Sequence, residues 1–338
     1  MEQTYSRARH LCQHLAEPQQ LFPILRGVWH YYHVRAELQT AHALGEQLLT
    51  LAQQVQDPAM LLAAHRALGS TLFSLGEIAL AYTHHTHGMV LHDPQQHRAS
   101  AFLYGEDTGV MCHSTAALAL WLLGYLDQGQ VRSHEALTRA QQSAHPFSLG
   151  FALSFAAVFH QLRREEHTAQ KCAEAVLLLA QEQGFPFWRA YSSMLRGWAL
   201  AQQGQTREGS EQMPHALTVY RTTGAEIQRP YFLALLAEAY GTMEQPETGL
   251  TILTEALALV DTTGERWHEP ELYRLKGELL LQQNSDNEAE AEDCFQQAIA
   301  IAQNQQAKSF ELRTATSLAR LWQQQGKRQE AHDLLAPV

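Results

Sequence analysis

The chain has 338 residues, 45% of them hydrophobic and only 17% charged, with a formal net charge of −11. That acidity, with no run of Lys or Arg, argues against general nucleic-acid binding, which needs a basic face to displace counterions from phosphates. The four cysteines, Cys12, Cys112, Cys172 and Cys294, stand far apart without CxxC spacing, the usage expected of free thiols in a reducing cytoplasm. The opening MEQTYSRARH lacks the apolar core of a signal peptide. The most hydrophobic stretches, 114–126 and 146–159, are shorter than the roughly 20 residues a membrane-spanning helix requires, so buried helices explain them and no membrane partner is expected.

In chain order, hydrophobic periodicity predicts a lone helix over 4–15 and then pairs of amphipathic helices. The first pair, 21–35 with 38–55, is degenerate, as terminal repeats are. The second is 58–75 with 77–91. Between it and the next pair, the region 92–108 holds eight residues more than the period allows. Four regular pairs follow, at 110–123 with 127–143, 146–162 with 165–183, 186–203 with 205–222, and 228–243 with 245–262. The pair spanning 267–303 opens its second helix on Glu288, Glu290 and Glu292, where the helix dipole favours negative charge. The last pair, 307–325 with 327–335, ends in a helix scarcely two turns long. A solenoid ordinarily closes on a polar capping helix, so this ending leads us to expect a piece of a longer protein or the loss of residues past Val338.

Three series of landmarks share one register. Gly69, Ala117, Ala157, Gly197, Ala237, Gly277 and Ala319 follow each other at steps of 48, 40, 40, 40, 40 and 42, each with a bulky residue three positions later. A small residue beside a large one on a helical face lets a neighbouring backbone approach and fills the space next to it. Gly184, Gly224, Gly264 and Asn304 recur at steps of 40 just after apolar-periodic runs. They are expected as left-handed helix caps. Pro230 and Pro270 fall in the first turn of the next helix, where a missing N–H costs nothing. Together the series predict a helical solenoid.

The pairs, with a further small residue in each second helix (Gly88, Ala136, Ala175, Ala216, Ala256 and Ala298), resemble tetratricopeptide repeats elongated to about forty residues. The stretches LHDPQQHRASAFLYGEDTGVMCHSTAALALWLLGYLDQG, RPYFLALLAEAYG, GERWHEPELYRLKGELLL and KSFELRTATSLARLWQQQGKRQEAHDLLAPV resemble, more specifically, the C-terminal repeat region of large bacterial multidomain proteins. There a class III nucleotide cyclase or another output domain precedes a signal-transducing P-loop ATPase. This chain has no GxxxxGKS/T loop and none of the cyclase's metal-binding strand pattern, so no catalytic activity carries over. The resemblance implies ligand sensing or partner docking that controls attached domains.

The expected fold is an all-α, right-handed superhelical solenoid of about eight helix-turn-helix repeats. Its expected parts are an N-terminal capping helix (1–20), repeats one and two (21–91), an insertion loop (92–108) and repeats three to eight (109–338).

Chemistry is sparse. His84, His85 and His87 share a helix and His10 and His14 lie one turn apart, spacings that can hold a zinc or nickel ion, but no third ligand and no HExxH accompany them. Solvated helix surface explains them, and we expect no metal and no cofactor. Glu165–Glu166 and the Glu288–Glu292 cluster suit helix starts, and Arg163–Arg164 suits a helix end. No Ser/His/Asp or Cys/His pattern appears, so no catalytic residue is expected.

The groove is the better candidate. In tetratricopeptide folds the concave face is lined at offsets −6, −3 and +1 from the small residue of each first helix. Here these give Phe151, Tyr191, Met194, Trp198, Tyr231, Glu238, Glu271, Arg274, Glu278, Arg313 and Arg320. Exposed aromatics flanked by arginine are the residue types of binding hot spots. The competing reading is that Tyr191, Trp198 and Tyr231 pack between repeats. The insertion supplies a second set, Asp93, His97, Arg98, Tyr104 and Asp107, together with Gln96 and Glu106, because insertions into a repeat emerge on one face. A structural bridge across the concave face is the alternative. The function expected is a non-enzymatic, cytoplasmic interaction or sensor module that binds a peptide or protein partner and regulates a signalling output. The alternatives are a small-molecule receptor and the detached regulatory part of a cyclase or ATPase.

Overall fold

The computed structural model describes residues 18–93 and 105–336, and among them every regular element is helical. Consecutive helices form antiparallel pairs: α1 (Pro18–Val34) with α2 (Leu38–Val55), α3 (Pro58–Leu75) with α4 (Ile78–Leu91), α5 (Thr108–Leu122) with α6 (Leu126–Ser143), and α7 (Pro146–Leu162) with α8 (Glu166–Gln183). The second half continues with α9 (Pro186–Gln202) and α10 (Thr206–Thr222), α11 (Arg229–Thr242) and α12 (Pro246–Thr263), α13 (Glu269–Gln283) and α14 (Glu288–Asn304), and α15 (Lys308–Gln324) and α16 (Arg328–Leu335). These eight pairs are the number the period predicts. The helix expected over 4–15 lies outside the described residues, as does most of the insertion.

Local chemistry sets the helix ends. Asp57 accepts from the N–H groups of Ala59 and Met60 at 2.8 and 2.9 Å, so it caps α3 with Pro58 in the first turn. Pro230 and Pro270 occupy first turns as expected. Gly184, Gly224 and Gly264 adopt φ of 68°, 85° and 74° just past α8, α10 and α12. Asn304 departs from that series, because α14 continues through it and Gln306 takes the left-handed turn at φ 56°. The chain closes later there, with the Ala307 N–H donating to the Ala302 carbonyl at 2.8 Å.

The small residues mark the helix crossings. A Cβ on Gly197 of α9 would sit 2.9 Å from the Gly209 carbonyl oxygen of α10, and one on Gly277 of α13 would sit 2.6 Å from the Phe295 ring of α14. At Gly197 the α10 backbone, and at Gly277 the Phe295 ring, leaves no room for a side chain.

Successive turns of the superhelix touch. The Val34 carbonyl at the end of α1 accepts from the Glu226 and Ile227 N–H groups ahead of α11, at 2.9 and 3.0 Å. The Ser74 carbonyl of α3 accepts from the Arg266 N–H ahead of α13 at 2.8 Å. The Trp121 carbonyl of α5 accepts from the Ser309 hydroxyl of α15, 188 residues away. In each case a first helix meets the pair five places further on. Rings fill the seam: Phe73 packs on Trp267 at 5.2 Å and Trp121 on Phe310 at 5.6 Å. Cys112, Cys172 and Cys294 are free thiols, and no helix of the described residues is long and apolar enough to cross a membrane.

Candidate ligand-binding cavity

The stacking of turns decides where the predicted groove residues go. Instead of lining an open channel, the first helices of repeats four to eight converge on the superhelix axis. Met194, Trp198 and Tyr231 are fully buried, at 0% exposure each. The Trp198 indole N–H donates to Glu238 at 2.9 Å, and the Tyr231 hydroxyl donates to Gln161 at 3.0 Å. Glu271 accepts from Arg274 Nε and Nη2, both at 2.9 Å, from Arg313 at 2.9 Å and from Arg164 at 3.4 Å. Arg164, in a left-handed turn at φ 61° just past α7, also pairs with Glu238. Glu278 pairs with Arg274 and accepts from the Ser317 hydroxyl at 2.9 Å. Burial by itself would raise the Glu271 carboxyl, but the guanidinium groups of Arg274 and Arg313 outweigh it and hold the carboxyl well below the usual range.

The expectation of an exposed groove is therefore corrected for Met194, Trp198, Tyr231, Glu271 and Arg274, which are interior. Glu238 and Arg313 are largely buried beside them, Glu278 is half-buried, and Arg320 is exposed. The physical reason is the close stacking of the turns, which brings α15 back against α7: Arg313 donates to the Leu162 carbonyl at 2.6 Å and lies over the Trp121 ring at 5.2 Å.

Of the insertion residues, His97, Arg98 and Tyr104 lie outside the described residues, while Asp93 and Asp107 lie inside them. Asp107 is an N-cap: it accepts from the Gly109 and Val110 N–H groups at 3.0 and 3.2 Å, and His92 pairs with it at 3.2 Å. Glu106 beside it is 4% exposed and receives Arg26 and, at 3.2 Å, Arg66. Arg66 also lies over the Trp29 ring at 4.8 Å.

Arg66 and Glu106 of that cluster line a cavity of about 350 Å³ inside the solenoid. Its polar end is built from His30 and His33 of α1, Arg66 of α3, Glu106 and Gln228. Its wall carries eight phenyl, phenol and indole rings: Phe147, Phe151 and Phe155 of α7, Phe185 before α9, Phe187, Trp188 and Tyr191 of α9, and Tyr220 of α10. Phe151 stacks on Phe155 at 4.0 Å, and Phe187 packs on Tyr220 at 5.1 Å. Phe151 and Tyr191 are thus the two predicted groove residues that the structure brings to the cavity. Pro186, Thr223 and His30 are exposed, so the cavity opens to solvent.

Burial, aided by the nearby Arg66 charge, lowers His33 to about 3, so its ring is neutral at pH 7. Burial lowers Arg66, and the neighbouring Arg26 adds to this against the pull of Glu106. Glu265, behind Gln228, accepts from the Gln228 N–H at 2.9 Å and from the Trp267 indole N–H at 3.2 Å, yet burial pushes it up to about 8.

Offsets taken from single helices missed the floor. The repeat register did not point to it either, since Glu106 lies in the 92–108 insertion where the period breaks, with a step of 48 from Gly69 to Ala117. Phe185 and Phe187 flank a helix-opening proline and carried no such mark.

No protein-family model matches the chain. It is 22% identical over 308 residues to an uncharacterised protein of Rhizobium meliloti (strain 1021), a match that covers 91% of this chain and 30% of the relative. The chain therefore spans about a third of the length of the curated relative it matches. Among solved structures it is similar to the Rap conjugation gene regulator of plasmid pLS20 in complex with a Phr peptide, with a TM-score of 0.59, 11% identity and 93% of each chain covered. A Rap protein complexed with Competence and Sporulation Factor gives a TM-score of 0.56 at 10% identity, covering 91% of this chain and 77% of that one. Aspartyl phosphate phosphatase F of Bacillus subtilis gives 0.51 at 10% identity, covering 94% and 92%. The fold is a tetratricopeptide-like solenoid. At these identities the likeness is one of fold.

Proposed function

We propose that this chain is a non-catalytic, cytoplasmic sensor module that captures a peptide or a short protein segment in the cavity inside the solenoid and passes its occupancy to a signalling output. The observation that carries the reading is the cavity itself, eight aromatic rings around about 350 Å³ with a small polar floor. Concave, mostly apolar sites with a few polar groups are the sites that bind ligands. Its walls come from helices of the first, second, fourth and fifth pairs, so an occupant touches two turns of the superhelix at once. Filling it favours one spacing of the turns, and such a bias travels along a solenoid because each repeat moves with its neighbours. Support comes from two proteins of the same fold whose structures are complexes with a Phr peptide and with Competence and Sporulation Factor.

A second reading, a small-molecule receptor, is favoured by the volume, which suits a ligand of modest size. The resemblance to cyclase- and ATPase-linked arrays makes control of an attached or partner output domain the natural consequence of binding. The Rhizobium meliloti relative, of which the match covers 30%, has ample further chain for such a domain.

The test is retention of peptides by the purified chain in affinity selection with mass-spectrometric readout, repeated with Phe187→Asp. Phe187 is half-buried at the cavity wall, so a charge there blocks the site while the fold persists. Retention by the wild type and loss in the variant support the reading. Equal retention by both, or ligand-induced rises in melting temperature with metabolites alone, would overturn it in favour of another surface or of a small-molecule receptor.

A further inference from the structure

We propose that the cavity takes one uncharged aromatic side chain, phenylalanine or tryptophan, from within a peptide whose backbone stays at the mouth. This rests on the reading of the cavity as a peptide site and adds the class of residue that the site selects.

The wall is the first argument. Around Trp188 its rings meet edge to face: Phe147 at 5.7 Å with 63° between the ring planes, Phe151 at 5.7 Å and 82°, and Phe187 at 4.7 Å and 87°. An aromatic ring has a negative face and a positive edge, so a ring that enters such a wall meets both and continues the pattern. An aliphatic side chain gains the apolar contact without that complementarity.

Charge is the second argument. The carboxylate and the guanidinium that line the cavity, Glu106 and Arg66, pair with each other at 3.2 Å, and Arg66 also lies over the Trp29 ring at 4.8 Å. The other titratable groups of the lining add no charge at pH 7: the His30 and His33 rings are neutral, and burial keeps the Tyr191 and Tyr220 hydroxyls un-ionised. A carboxylate or ammonium entering this space gives up its hydration to meet charges that are already paired. A neutral ring loses little hydration and gains the apolar contact.

Size is the third argument. An apolar cavity of about 150 Å³ holds one benzene ring. About 350 Å³ therefore accommodates a phenyl or indole group with the backbone next to it, but no folded segment. Pro186, Thr223 and His30 are exposed where the cavity opens, so the rest of the peptide leaves on that side. A free aromatic metabolite presents the same ring, and the experiment separates the two sources.

Pools of N-acetylated, C-amidated pentapeptides are prepared with non-aromatic residues randomised at the four outer positions and the central residue fixed as Phe, Trp, Leu, Glu or Lys. Each pool is passed over the intact wild-type chain, and retained peptides are quantified by mass spectrometry. The Phe and Trp pools should be retained at least fivefold more than the Leu pool and twentyfold more than the Glu and Lys pools. Titrated by calorimetry, the best retained peptide should bind at least tenfold more tightly than its central-alanine analogue and than N-acetyl-L-phenylalaninamide. Phe187→Asp should abolish retention. Glu106→Gln, which takes the paired carboxylate from Arg66, should admit the Glu pool.

Equal retention of the Leu pool and the ring pools would overturn the aromatic selection and leave the peptide reading standing. A Glu or Lys pool held by the wild type as well as the Phe pool would overturn the charge argument, as would a Glu106→Gln chain that melts like the wild type and gains no Glu pool. Retention of no pool, or undiminished retention by Phe187→Asp, would sink both readings of the cavity. If N-acetyl-L-phenylalaninamide matches the best peptide, the peptide source fails. The pool comparison uses the unaltered protein, so it decides the matter even if a variant fails to fold.

Discussion

Where the later first helices meet, Arg164, Arg274 and Arg313 pair with Glu238, Glu271 and Glu278; at the cavity, Arg66 pairs with Glu106. The axial cluster is balanced, three charges against three, and it joins helices of four successive repeats with Trp198 pinned to Glu238. Nothing is left for a ligand to satisfy. The Arg66–Glu106 pair has the same ingredients, but it borders a cavity instead of a packed core. Buried arginine and glutamate therefore mean different things in one molecule. Where the helices around them all contribute, they fix how the turns stack; where space adjoins them, they border a candidate site.

The contrast breaks most visibly if its strongest member is removed. Glu271→Gln leaves three guanidinium groups short of their shared carboxylate in a buried setting, and a loss of about 3–5 kcal/mol is expected in urea unfolding. The same variant has a pH signature. A carboxyl held below its usual range stabilises the fold above the ordinary carboxylate value and loses that contribution as pH falls through the folded value. Wild-type stability should therefore decline on acidification, and Glu271→Gln should flatten that decline.

Glu106→Gln removes a carboxylate from a cluster that borders a cavity, where water can reach the groups left behind, so a smaller cost of about 2 kcal/mol is expected in the same assay. A cost equal to that of Glu271→Gln would erase the distinction between the clusters.

Glu265 sharpens the comparison further, because it is buried on hydrogen bonds to Gln228 and Trp267, and these with the Arg229 charge do not offset its burial. Burial raises it from 4.5 to about 8, so the folded state prefers the neutral acid. Its favourable contribution is complete below pH 4.5 and is lost as pH rises toward about 8. Glu265→Gln should match the wild type near pH 4.5 and exceed it by about 1 kcal/mol or more at pH 8.5, measured by parallel denaturant titrations. The smallest effect is expected at Arg320, exposed on α15, where Arg320→Ala should change stability by less than about 0.5 kcal/mol.

How much of this was legible before the fold is clearest residue by residue. Gly197 and Gly277 were readable as close helix crossings, and Pro230, Pro270, Gly184 and Gly264 as helix boundaries, because each depends on backbone preferences within a few residues. Trp198 and Arg274 were placed on the right face of the right helices, but that face proved to be interior. Arg26, Arg66 and Glu106 were not assembled, because Glu106 lies in the insertion that breaks the repeat register.

By itself, then, the sequence determined the unit and its number: a helix pair of about forty residues, stacked eight times, with known crossing points and caps. The tertiary structure decided whether the concave face is open or filled. That depends on a small rotation between neighbouring repeats, which no single repeat encodes and which accumulates over five pairs before Val34 meets Ile227 and Ser74 meets Arg266. Only when the turns closed on each other did one set of charged side chains become a core and the other become the floor of a cavity.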